Sequence, residues 1–361
     1  MTKFKQPTEK EWKRLYELAV KVKALAPWEW MYEDNIFGVQ NPETQEIGFV
    51  SVMGIGGEHL GISVYLGAEG LFGFDGLHHE ALEEMENDDE NYEDMAMKMF
   101  EIPQLQASFE NRQQLEKADH DVLKKLGLKF RGSQNYPLFR SIVPGFLPYY
   151  ITSDEARFLI YVLEQLLEVA PRLVEDDSIL EDTDIDDEFA SYLVRIPSKE
   201  SGKIVWNEEH LVIRPPSETE ISVPLPDKIM SQVKNLPQNK NLVVQIDLFY
   251  SPMPVGGKRK RPFIPKMLMV ADSKSGVILG FQVMQPQESE QENFSQLIEN
   301  IFDLLTKLNV RPIEIQVSSE ELFELFKGFI QLFNIRLKQI DELEAIEAAK
   351  EGMFEIFGKM I

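Results

Sequence analysis

The chain has 361 residues, 61 of them acidic and 37 basic, for a formal net charge of −24, and it contains no cysteine. Disulfides, thiolate metal sites and cysteine nucleophiles are thereby excluded. A field of that sign repels nucleic acid and anionic membranes at long range, so any such partner must be met by a local basic patch.

The opening residues, MTKFKQPTEKEWKRLYEL, lack the apolar stretch of a signal peptide, and no apolar run is long enough to span a bilayer. The expectation is a cytoplasmic protein with no membrane partner. Thr8 begins a helix to about Ala26, with Trp12, Leu15, Leu18, Ala19, Val22 and Leu25 at helical spacing and a capping box of Thr8 with Glu11. Pro27 breaks it. Trp28 and Trp30 follow in an aromatic cluster; they are read as a small core under a hairpin, with Tyr65 as their companion if the cluster instead lines a ligand pocket. IFGVQ and IGFVSVMG are strands joined by the polar turn NPETQE. The glycines between Gly54 and Gly76 match neither GxGxxG opening a helix nor GxxxxGK[ST], and are assigned to turns and bulges around the strand Ile62 to Leu66.

His79 and Glu83 stand four apart on an expected helix and share a face, the geometry of a two-ligand metal site. With no second pair of ligands at a fixed spacing, they are read as surface residues of an acidic helix. LQASFENR is a strand, Gln114 to Lys125 a short helix ended by Gly127, and Thr152 with Glu155 caps a long amphipathic helix whose apolar stripe includes Phe158, Leu159, Val162, Leu163 and Leu166. The stretch EDDSILEDTDIDDE, Glu175 to Glu188, lacks calcium-loop spacing and reads as a solvated connector. FASYLVRIP, KIVW and HLVIRPP are short strands of a small sheet after it, closing the first half or bridging to the second, and a series of prolines marks a hinge.

From Asn241 the elements sharpen: strand LVVQIDLFYS, a basic loop, strand IPKMLMVAD, strand VILGFQVMQ, a helix from about Glu290 to Leu308, strand PIEIQV, a helix from about Ser319 to Phe333, strand IRLKQI, and a last helix from Asp341 to Phe357. The first strand carries one acid, Asp247, in an otherwise apolar run. A carboxylate there needs a partner or a function.

The order βββαβαβα, the strand-one Asp247 and the phrase DSKSGVILGF resemble the ribonuclease-H-like fold of ribonuclease H and of transposase and integrase cores. The resemblance covers about a third of the chain. It implies an α/β domain with a mixed sheet and, in active members, converging carboxylates that hold two divalent metals. Asp247 matches the strand-one acid, whereas the position after strand four reads Val317, Ser318, Ser319; the acids left to complete a set are Glu320 or one from Glu288 to Glu292, and one from the last helix, which offers Asp341, Glu342, Glu344 and Glu347, with Glu320 and Glu344 as the candidates. Magnesium or manganese is expected only if that set converges, and otherwise no cofactor. The loop residues Lys258, Arg259, Lys260 and Arg261 are the candidate nucleic-acid contact, although four charges at a hairpin tip are also ordinary solubilising chemistry.

Most of the chain further resembles an uncharacterised bacterial family that joins two domains of unknown function, through IFGVQNPETQEIGFVSVMG, VYLGAEGL, PLFRSIVPGF, QIDLFY and SGVILGF. The expected organisation is an α+β domain over 1–174, an acidic connector and short β segment over 175–240, and the ribonuclease-H-like domain over 241–361. The expected function is that of a non-catalytic binding or regulatory protein, most simply with a protein partner. The alternatives are a divalent-metal phosphodiesterase and small-ligand binding by the first domain.

Overall fold

The computed structural model describes residues 5–57, 59–87, 98–180, 190–216, 227–251, 253–256, 261–287, 290–327 and 330–358. The chain divides into two compact units, Met1–Glu218 and Thr219–Ile361.

In the first unit, helix α1 (Glu9–Leu25) starts at the expected capping box, Thr8 with Glu11, and stops where Ala26 turns left-handed before Pro27. Strands β1 (Phe37–Gln40), β2 (Ile47–Met53) and β3 (Gly61–Leu66) are followed by helix α2 (Gly67–Asn87). Strand β4 (Gln104–Glu110), helix α3 (Lys117–Leu126), strand β5 (Tyr136–Ile142) and helix α4 (Ser153–Glu175) come next, and the hairpin β6 (Ser191–Glu200) and β7 (Lys203–Val212) closes the unit. The seven strands form one sheet in the order β5-β4-β3-β2-β1-β6-β7. Neighbours run antiparallel except β1 and β6. The hairpin expected in a connector is therefore an extension of the first unit's sheet. Of the acidic stretch before it, residues 181–189 lie outside the described residues.

Alternation along the strands loads both faces of this sheet. Val50, Val52, Ile62 and Val64 meet the apolar stripes of α1 and α4 on one side. Phe49 and Tyr65 meet Leu71 and Phe74 of α2 on the other. Each fully buried leucine or valine of the α4 stripe contributes about 1.5–3 kcal/mol of transfer free energy.

The glycine-rich stretch is the main departure from the expected local structure, since Gly70, Gly73 and Gly76 are helical and not in turns. A Cβ at Gly70 would sit 2.9 Å from both the Pro103 carbonyl oxygen and the Tyr65 carbonyl carbon. The missing side chain lets α2 lie directly on the backbone of the sheet's rim. That close approach offsets the weak helix propensity of glycine, about 1 kcal/mol against alanine.

In the second unit, helix α5 (Asp227–Asn235) precedes β8 (Gln238–Tyr250), β9 (Lys266–Asp272), β10 (Ile278–Met284), helix α6 (Glu290–Lys307), β11 (Arg311–Val317), helix α7 (Glu320–Lys327), β12 (Arg336–Gln339) and helix α8 (Glu344–Gly358). The order from β8 onward is the βββαβαβα that the sequence resemblance implies. The sheet runs β10-β9-β8-β11-β12, with antiparallel pairs on one side of β8 and parallel pairs on the other. Val244, Ile246, Leu268, Val270, Ile315 and Val317 pack against α6 and α7 on one face. Met269, Ala271 and Phe249 pack against Leu343, Ala345 and Ile346 at the start of α8 on the other. Among the described residues, no helix is long and apolar enough to cross a membrane.

Candidate functional site

Strand β8 is apolar because it is the middle strand of a sheet covered on both faces. Its alternation sends Val244 and Ile246 toward α6 and α7, and Gln245, Asp247 and Phe249 toward α8. Asp247 is only 6% exposed. Its partner comes from two turns along α8, where Lys350 Nζ stands 2.7 Å from Asp247 Oδ2. The same ammonium lies 2.8 Å from Glu347 Oε1 and 4.7 Å from the centre of the Phe249 ring. Burial pulls the Lys350 ammonium down, but the hydrogen bonds to Asp247 and Glu347 more than offset this and hold it above the ordinary lysine value. The amino group therefore stays charged at any physiological pH and neutralises the strand acid.

Gln245 extends the polar contact along the same face. Its Oε1 accepts from the Ala345 backbone N–H at 2.9 Å, tying the first turn of α8 to the sheet. Its amide nitrogen donates to Gln316 Oε1 at 3.4 Å; Gln316 donates to Glu314 Oε1 at 3.0 Å, and Glu314 pairs with Arg336 at 3.2 Å. A chain of amides and ion pairs thus crosses β8, β11 and β12.

The other candidate acids do not join Asp247. Glu320 opens α7 and Glu344 opens α8, both exposed. Among the described residues, no group of three or more histidine, aspartate or glutamate side chains could hold a metal ion. Where strand four ends, Ser319 is occupied locally, since its Oγ accepts from the Leu322 backbone N–H at 3.3 Å and caps α7. This donor set, one carboxylate already bound to an ammonium, does not fit the pair of divalent ions that the fold resemblance implies.

Lys258, Arg259 and Lys260 lie outside the described residues, and Arg261 is half-buried beside them. In the first unit, His79 Nε2 faces back to Asp75 Oδ1 at 3.7 Å, one turn before it. The side chain of Glu83 lies outside the described residues. Trp28 is buried edge-on against Phe109, with ring centres 5.4 Å apart. The Trp30 indole N–H donates to the Ala170 carbonyl at 3.0 Å. Tyr65 belongs to the other face of the sheet, 1% exposed and stacked on Phe74 at 4.5 Å. The two tryptophans and Tyr65 are thus parts of separate packed cores and do not share one cavity wall.

Lys350 is the functional neighbour that reading the strand alone does not reveal. One signal was present: Lys350 is the single basic residue in the acidic stretch between Lys338 and Lys359, three residues after Glu347 on a helix expected to cover the sheet.

Two family models describe this chain. Domain of unknown function (DUF7309) matches residues 12–195, and Domain of unknown function (DUF6930) matches residues 229–354. No curated protein matches the sequence. Among solved structures, the chain is similar to the HTLV-2 integrase catalytic core domain in complex with magnesium. For its dimeric form the TM-score is 0.24 at 15% identity, over 35% of this chain and 74% of that one. For the trimeric form the TM-score is 0.23 at 17% identity, over 35% and 73%. Because the first family model spans more than half of the 361 residues, the chain belongs to the family described as Domain of unknown function (DUF7309).

Proposed function

We propose that this chain is a non-catalytic binding or regulatory protein, in which the ribonuclease-H-like scaffold of the second unit keeps its strand-one acid as a structural ion pair. The observation that carries this reading is the Lys350 ammonium 2.7 Å from Asp247 Oδ2, in the contact between α8 and the sheet. A carboxylate that works through a divalent ion has to accept that ion in place of water. At Asp247 a permanent cation already takes the ion's place, and moving it out would leave two charges unpaired in a poorly solvated position. A similar fold does not supply the chemistry, which has to be read from the site.

A protein is the partner class that suits the molecule. The net charge of −24 opposes nucleic acid everywhere except near the basic loop of residues 258–261, which is the one place where such contact is expected. A cytoplasmic, bacterial setting belongs to the same proposal. The test is incubation of the full chain with single- and double-stranded DNA and with RNA, in magnesium or manganese. The expected result is no cleavage above the buffer control. Metal-dependent cleavage that disappears in Asp247→Asn would overturn the reading.

A further inference from the structure

Where the parallel strands of the second sheet begin there is a pocket of about 570 Å³, lined by Lys240, Ile313, Gln331, Asn334, Ile335 and Arg336. It lies apart from the strand acid, since Lys240 precedes Asp247 by seven positions on β8, roughly 15–20 Å along a strand. Two local irregularities build it. The ladder between β8 and β11 pairs Pro312 with Asn239 and next Glu314 with Val243, so Lys240, Asn241 and Leu242 stand opposite Ile313 alone. A bulge of this kind re-aims the side chains it carries. On the other wall, the short turn Ile330–Phe333 leads to Asn334, whose left-handed backbone (φ 57°) sends the chain into β12. Gln238 secures that turn by donating to the Asn334 carbonyl at 2.6 Å.

The pocket is positive in a chain whose net charge is −24. Its walls come from three stretches without aspartate or glutamate: 228–246, with three lysines; 304–313, with Lys307 and Arg311, outside which Glu314 follows; and 325–340, with Lys327, Arg336 and Lys338. Lys307 and Lys327 are paired with Asp303 and Glu324, acids that precede those stretches. Lys240 is exposed and, among the described residues, has no ion-pair partner. Arg311, half-buried at the head of β11, donates to the Leu236 carbonyl at 2.9 Å and to the Phe333 carbonyl at 2.7 Å, and among the described residues no carboxylate meets it. Charges withdrawn from water are ordinarily matched by an opposite one. Here two carbonyls orient the guanidinium and leave its charge uncancelled. Glu314 holds Arg336 through one guanidinium nitrogen at 3.2 Å, which fixes that side chain while its other N–H donors stay unspent.

We propose that this pocket binds a small organic anion, with its carboxylate or phosphate held by Lys240 and Arg336 and its apolar body laid on Ile313 and Ile335. The volume suits one small molecule. Gln331 and Asn334 bring amide side chains that, among the described residues, bond to nothing else, and they supply the neutral donors that orient a polar ligand. Positive charge on the walls of a concave site draws an anion that the rest of the chain would repel. A guanidinium already fixed by Glu314 loses little freedom when it takes up a second oxyanion.

The test is isothermal titration of the full chain at low ionic strength with four probes: phenyl phosphate, benzoate, inorganic phosphate and benzyl alcohol. The expected result is saturable binding of phenyl phosphate or benzoate at low-millimolar concentration, with inorganic phosphate and benzyl alcohol each clearly weaker because each lacks half of the ligand. The stronger of the two aromatic anions tells whether the charged group is phosphate or carboxylate. Lys240→Met should weaken that anion by about fivefold, the loss of one charge-assisted contact at a solvent-open site. Lys274→Met, at an exposed position in the turn between β9 and β10, should leave it unchanged. Absence of saturable binding overturns the proposal, as does binding that Lys240→Met leaves intact. Inorganic phosphate binding as tightly as phenyl phosphate would reduce the site to a charged surface, and a single-stranded DNA oligonucleotide binding more tightly through Lys240 would assign it to a polyanion; either result also overturns the proposal.

Discussion

At the scale of single residues, the second unit turns on whether Asp247 and Lys350 are bound to each other or available to something else. Removing one partner of a buried pair leaves the other charge without compensation, which commonly costs about 3–5 kcal/mol. Lys350 keeps 16% of its side chain exposed and has Glu347 as a second acceptor, which places the expected loss lower, at roughly 2–3 kcal/mol for Asp247→Leu or Lys350→Met. The paired apolar variant Asp247→Leu with Lys350→Met should recover most of that loss, because burying two matched apolar groups avoids desolvating two charges. Denaturant unfolding of the four proteins checks this. Full additivity of the two single losses would contradict the pairing. The pH dependence has a definite sign. The pair holds the folded-state value of Lys350 above the ordinary 10.5, so its contribution is complete below pH 10.5 and is lost as pH rises through the folded value. The stability gap between the native chain and Lys350→Met should therefore be constant through neutrality and narrow only above that pH.

At the scale of elements, the contrast between two glycines of α2 tests why the helix forms at a glycine-rich sequence. Gly70→Ala should destabilise the first unit by about 1–3 kcal/mol, since the new methyl meets backbone that cannot rotate away. Gly76→Ala, whose new Cβ would have nothing within 4 Å, should instead stabilise it by about 0.5–1 kcal/mol through the lower entropy of the unfolded chain. Thermal unfolding of the two variants distinguishes them, and equal effects would remove the close-approach explanation. These glycines also mark where the sequence was hard to read. The capping boxes of Thr8 with Glu11 and of Thr152 with Glu155, and the stripe of Phe158 to Leu166, were legible because each depends on residues within one or two turns. Helix α2 was not, since the reason for its glycines lies in the rim residues Tyr65 and Pro103 on other elements. The hairpin of β6 and β7 was legible as strands, with its place left open between closing the first half and bridging to the second. Its place depends on the parallel pairing of Gly38 and Val39 with Val194 and Arg195, which no local pattern records.

At the scale of the whole molecule, the resemblance carried by Asp247 and its flanking strands implied an element order for the second unit, and the sheet is assembled in that order. The same comparison could not say what Asp247 does. Its meaning depends on a lysine 103 positions later in the chain, brought to it by the packing of α8 on the sheet. A strongly acidic chain has many carboxylates that look like ligands in sequence, and among the described residues no three of them come together to hold a metal ion. The central claim is that Asp247 is held by Lys350 and not by a metal. Crystals grown with manganese and measured at wavelengths where that ion scatters anomalously test it most directly. The account predicts no anomalous peak at the Asp247 carboxylate, with Lys350 Nζ within hydrogen-bond distance of it. A peak about 2.0–2.2 Å from an Asp247 oxygen, with Lys350 turned away, would contradict it.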